Sequence, residues 1–117
     1  MKKIITVLGI LASLSLFAQT TTNDSIMHGG GYRTYKLYVP ASYDGSTAFP
    51  VVLNLHGLGS NNNEQIIYGE FRPIADTANF LILLPQGTVG SLPGSGSATH
   101  WNANFGTSVN DIDFISN

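Results

Sequence analysis

Two short runs, Phe49-Pro50-Val51-Val52-Leu53-Asn54-Leu55 and Phe80-Leu81-Ile82-Leu83-Leu84-Pro85, are apolar at almost every position. Unbroken apolarity over a length too short for a helix is the pattern of a strand covered on both faces, so both are read as central parallel strands. An earlier stretch, Tyr32 to Val39, is rich in aromatic and branched residues and stops at Pro40. Both of its faces mix polar and apolar side chains, which predicts a strand at the edge of the sheet. Asp44-Gly45-Ser46 supplies the turn that follows.

Between the two buried runs, Asn61 to Asn63 predict the cap of a helix with Glu64 in its first turn, and Pro73 suits a fresh helix start at Ile74. Ile74, Ala75 and Ala78 give that second helix a short apolar face. Strand, helix and strand in that order form a βαβ unit with a parallel pair. Gly87 to Gly106 is a long Gly-, Ser- and Asn-rich stretch, read as irregular, with Trp101 as its one large anchor. After it, Ser108 or Asn110 caps a last helix, and Val109, Ile112 and Ile115 recur every three residues as a stripe expected to face the sheet. The pattern breaks off inside this stripe.

The chain opens with Lys2 and Lys3, an apolar stretch from Ile4 to Phe17 and the small Ala18, the grammar of a cleaved signal peptide over residues 1–18. Export follows, to the extracellular space or the periplasm, with no membrane association after cleavage. Gln19 to Ser25 is polar, and residues 19–31 are read as a flexible leader to a domain spanning 32–117. Beyond residue 18 three basic residues (Arg33, Lys36, Arg72) face seven acidic ones, a net charge of −4 that gives nucleic-acid binding no support. The chain has no cysteine, so the fold rests on its core and thiolate zinc sites are excluded. No two of the three histidines stand four apart, and neither a metal nor a cofactor is expected.

Chemistry concentrates where the first buried strand runs into His56-Gly57-Leu58. A flexible turn after such a strand can aim backbone N–H groups at the oxygen that gains negative charge when an ester or amide carbonyl is attacked. Gly57 lets the substrate approach the backbone and the N–H of Leu58 is the donor, so His56, Gly57 and Leu58 are read as an oxyanion hole. His56 itself ends the strand and hydrogen-bonds a neighbouring loop. It is rejected as a base, because in the fold that uses this turn the catalytic His comes last in the chain. His28-Gly29-Gly30-Gly31 has the letters of a similar loop but precedes the first predicted strand, and is read as a flexible lead into Tyr32. Trp101 and Asn102 either line a substrate pocket, one by stacking and one by a polar handle, or pin the long loop to the body of the domain. Asp111 and Asp113 point in different directions on a helix, and charge at a helix N-terminus accounts for both. Gly-x-Ser-x-Gly, the turn that would carry a nucleophilic serine, does not occur.

Read together, Arg33-x-Tyr35-x-Leu37-Tyr38-Val39-Pro40, Pro50-Val51-Val52-Leu53 leading into Leu55-His56-Gly57, Pro85-Gln86-Gly87, Trp101-Asn102 and Val109-Asn110-Asp111-Ile112-x-Phe114-Ile115 follow the order of a known family. The chain resembles the secreted polyhydroxybutyrate depolymerases and feruloyl and acetylxylan esterases of the α/β-hydrolase fold. The first two motifs fit many hydrolases, and the last two narrow the match. Asn110 stands where the family usually has Asp, and Asp113 where Gly is common. The resemblance implies an α/β fold, a mostly parallel sheet flanked by helices, cut before the nucleophile elbow. It further implies a serine esterase that works through an acyl-enzyme on an ester of plant cell-wall polysaccharide or on a polyester. The serine, aspartate and histidine of that chemistry would lie beyond Asn117, so this chain alone is expected to be inactive. Two alternatives stay open: a non-catalytic secreted module that binds polysaccharide or polyester through Trp101, and a peptidase of the same fold.

Overall fold

The computed structural model describes residues 18–92, 94, 96–102 and 109–116. The signal-peptide stretch up to residue 17, the capping alternative at Ser108 and the chain end at Asn117 lie outside them. Among the described residues three strands, β1 (Thr20–His28), β2 (Gly31–Val39) and β3 (Val51–Leu53), are followed by helices α1 (Asn62–Tyr68) and α2 (Arg72–Ala78), then by strands β4 (Leu81–Pro85), β5 (Thr88–Leu92) and β6 (Gly96–His100) and helix α3 (Asp111–Ser116). The main sheet has the order β1-β2-β4-β3, and β5 and β6 form a separate hairpin.

The sheet is mixed, which corrects the expectation of a mostly parallel one. Among the described residues only β3 and β4 run parallel, through Val51↔Leu81 to Leu53↔Leu83, whereas β2 lies antiparallel to both β1 and β4. β2 is therefore interior, with β1 outside it. The segment read as a flexible leader is β1, and its polarity hid it: Thr20 to Ser25 are all exposed, so pairing to β2 rather than burial holds them. His28-Gly29-Gly30-Gly31 closes that hairpin. Gly29 and Gly30 both have positive φ, at 60° and 83°, as a two-residue turn matched to strand twist requires.

β3 is shorter than its apolar run and lies at the sheet edge, not the centre, although the N–H of Asn54 still reaches Leu83 O at 2.9 Å. One face of the sheet is covered by α1 and α2: Tyr38, Ile82 and Leu84 pack with Ala75, with Ile66 and Phe80 against them. Ala75 is the buried residue of α2, and Ile74 of its expected apolar face is turned outward. Asn61 caps α1 as expected, its side chain accepting from the N–H groups of Asn63 and Glu64. Pro73 sits in the first turn of α2.

The opposite face carries Leu37, Val51, Leu53, Leu81 and Leu83, which with Phe114 and Ile115 of α3 line a trough of about 380 Å³. Full cover by helices on both faces is thus not found among the described residues. On α3 the expected stripe is displaced. Asn110 caps the helix through the N–H of Asp113, so Asp111 and Phe114 turn inward and Ile112 is 78% exposed.

Candidate active site

β3 and β4 end side by side, and their continuations meet: Asn54 to Ser60 from one, Gln86 and Gly87 from the other. His56 is buried between them, 2% exposed. The N–H of Gly87 donates to His56 Nε2 at 2.9 Å, and a backbone N–H can only donate. His56 Nε2 is therefore an unprotonated acceptor and Nδ1 carries the proton, donated at 2.9 Å to the carbonyl of Gly57. With both ring nitrogens engaged by backbone, His56 has no free position from which to act as a base.

That second bond orients the loop. The Gly57 carbonyl faces the His56 ring and also accepts from the N–H of Ser60 at 3.1 Å. In a trans peptide the C=O and the following N–H point in opposite directions. The Leu58 N–H therefore points away from the ring, on an exposed residue, and meets no acceptor among the described residues. The neighbouring Gly59 N–H, by contrast, is taken by Thr99 O at 2.8 Å.

The β5–β6 hairpin braces the loop from the other side, so the stretch read as irregular from Gly87 contains two ordered strands. Trp101 donates from Nε1 to the carbonyl of His56 at 2.9 Å, with its ring 5.1 Å from the imidazole. Gly87 has to be glycine, because a Cβ there would stand 2.5 Å from His100 O and 3.1 Å from His56 Cε1. His100 is buried beside it and shows no partner for Nε2. Asn102 is tied to α3: its side chain donates to Val109 O at 2.6 Å and its N–H to Asp111 Oδ2 at 2.5 Å.

The role given to Asp111 in the sequence is corrected. It is 4% exposed and pairs with Arg33, also buried, at 2.7 Å, while Arg33 lies 4.0 Å over the ring of Phe114 and donates to Gln86 O at 3.2 Å. Charge at a helix end does not require burial, whereas a buried guanidinium does require a counter-charge. Asp113 stays exposed, 3.6 Å from His28. Gln86, Gly87 and the pairing of Arg33 with Asp111 had no role assigned from the sequence. A Pro-Gln-Gly following a buried strand was the only local sign, and no periodicity marks a polar residue that serves a neighbouring loop.

The serine of the loop is engaged structurally: Ser60 Oγ donates to Glu64 at 2.6 Å across the start of α1. Among the described residues no cluster of three or more His, Asp or Glu is placed to hold a metal, and no helix is long and apolar enough to cross a membrane.

Comparison with protein-family models gave no match, and neither did comparison with curated proteins. Solved structures do match. One is a ferulic acid esterase, 21% identical, with a TM-score of 0.50 over 59% of this chain and 30% of that one. Another is an S-formylglutathione hydrolase from Agrobacterium tumefaciens, 21% identical, with a TM-score of 0.53 over 74% of this chain and 32% of that one. Both are esterases of the α/β-hydrolase fold. The chain spans about a third of the length of these enzymes and shares the fold of that part.

Proposed function

We propose that this chain is the N-terminal portion of a secreted serine carboxylic-ester hydrolase, of the kind that acts on polyhydroxybutyrate or on feruloyl and acetyl esters of plant polysaccharides. The observation that carries the reading is the outward Leu58 N–H, held by the His56–Gly57 bond at the end of a strand. In acyl transfer a serine oxygen attacks the ester carbonyl, the carbonyl oxygen becomes an oxyanion, and its collapse expels the alcohol and leaves an acyl-enzyme that water clears. Leu58 N–H is suited to donate to that oxyanion, with a second N–H from the residue after the serine. One such donor is worth on the order of 3 kcal/mol in the barrier.

Trp101, half-buried against His56, offers a wall beside the loop for the acyl group, with Asn102 next to it. The fold shared with a ferulic acid esterase supports an aromatic acyl group as one candidate. The start of the chain, with Lys2, Lys3 and the apolar Ile4 to Phe17, supports export. Without a nucleophile elbow or a free histidine base, residues 1–117 alone are inactive in this reading.

The test is to read the coding sequence past codon 117 and express the whole frame. An apolar strand ending in Gly-x-Ser-x-Gly, followed by Asp and His, is expected, with hydrolysis of p-nitrophenyl acetate that a serine-directed phosphonate abolishes. A stop with no such remnant in any forward frame overturns the proposal, and so does enzyme-like hydrolysis by the 117-residue chain that survives Ser60→Ala and Ser108→Ala.

A further inference from the structure

We infer that Gln86 is a positioning residue that sets the proton on His56 and, through it, the direction of the Leu58 N–H; the inference rests on the oxyanion reading of that loop. The Gln86 side chain spans the gap between the first turn of α1 and the imidazole. Its Oε1 accepts from the N–H of Asn62 at 2.9 Å, and its Nε2 lies 3.3 Å from His56 Nε2 and 3.4 Å from Gly87 O. Its main chain is tied as well, N–H to Thr34 O at 2.9 Å and carbonyl to Arg33 at 3.2 Å, so the side chain leaves from a fixed point.

Donor and acceptor order fixes how the amide is turned. The relay starts at the Asn62 N–H, which can only donate, and ends at the Gly57 carbonyl, which can only accept. Between those ends the amide must present oxygen to Asn62 and nitrogen to the ring, so His56 Nε2 faces two donors, Gln86 Nε2 and the Gly87 N–H. A proton on Nε2 would meet both. It is thereby confined to Nδ1, and Nδ1–H holds the Gly57 carbonyl and turns the Leu58 N–H outward. Only Gln provides an acceptor at one end and a donor at the other at this length. Glu has no donor to offer the ring, and Leu neither group.

The test is made on the product of the whole reading frame labelled with ¹⁵N, by long-range proton–nitrogen spectra of the imidazoles and by amide exchange at Gly87. In the parent chain His56 is expected as the neutral Nδ1–H tautomer with a protected Gly87 amide. Gln86→Glu, nearly isosteric, should move the proton onto His56 Nε2, and Gly87 should exchange about tenfold faster, the loss of roughly one hydrogen bond. In Gln86→Leu the Gly87 N–H still faces Nε2, so the Nδ1–H tautomer should remain the major form while Gly87 exchanges faster than in the parent. A parent His56 protonated on Nε2 overturns the inference, as does an unchanged Nδ1–H tautomer and Gly87 protection in both variants. A role in packing alone predicts that second result, with altered stability only. These readouts concern the ring and not turnover: the tautomer response without an esterase in the whole reading frame would sustain the role of Gln86 and sink the ester proposal, and an active esterase without the response would do the reverse.

Discussion

Arg33 and Asp111 stand 78 positions apart, yet they form the one buried ion pair among the described residues. Taking both charges out of water is costly, and removing one partner leaves the other unpaired, at about 3–5 kcal/mol. Asp111→Ala is expected to lower the unfolding free energy extrapolated from urea titration by an amount in that range, and a loss below about 0.5 kcal/mol would show that Arg33 finds water instead. Neither residue was legible as a pair, because an Arg in a strand and an Asp at a helix start each have a sufficient local explanation. Tyr38 offers a pH test. Burial, and then the hydrogen bond it donates to Asp76 at 2.6 Å, push its phenol from 10.0 up to about 12. Below pH 10 both folded and unfolded chains keep that proton; between pH 10 and about 12 the unfolded chain loses it first. Stability should therefore fall as pH rises through that window, and Tyr38→Phe should flatten the fall.

Elements whose side chains are sorted by burial were readable, and those held by backbone pairing were not. β4 and the N-terminus of α1 follow directly from an apolar run and from Asn61. β1 and the β5–β6 hairpin left no such mark, because their side chains are largely exposed or small and their ladders involve backbone groups common to every residue. The β1–β2 turn gives a direct check. Since Gly30 sits at φ 83°, Gly30→Val should cost about 1–2 kcal/mol by thermal unfolding. Gly29→Asn should stay within about 0.5 kcal/mol, as Asn accepts that conformation in such turns. Equal losses in the two variants would mean that the turn is held by something other than its φ angles. The candidate site divides the same way. The His-Gly turn was visible because a strand led into it, while Gln86 and Gly87 act across a gap that only the parallel pairing of β3 with β4 closes.

At the scale of the whole molecule the sheet is covered unevenly, and this sets how the isolated chain should behave. Among the described residues β3 has a neighbour only on its β4 side, and on the trough face Val51 and Leu53 are 53% and 44% exposed. A strand with an open ladder next to an apolar surface favours association, since pairing and burial can be gained together. The formal net charge of −2 on the 117-residue chain opposes this weakly at physiological salt, where charges more than about 8 Å apart are screened. The purified 117-residue chain is therefore expected to elute in scattering-detected chromatography as concentration-dependent oligomers, and more so as salt is raised. Leu53→Lys places a charge on the open edge with little loss from a core it hardly joins, so the monomer fraction should rise while the circular dichroism spectrum stays the same. If Leu53→Lys unfolded the chain instead, Leu53 would be contributing far more to the core than its exposure indicates. If the parent chain remained monomeric at high concentration, the trough and the β3 edge would have to be covered within the molecule itself.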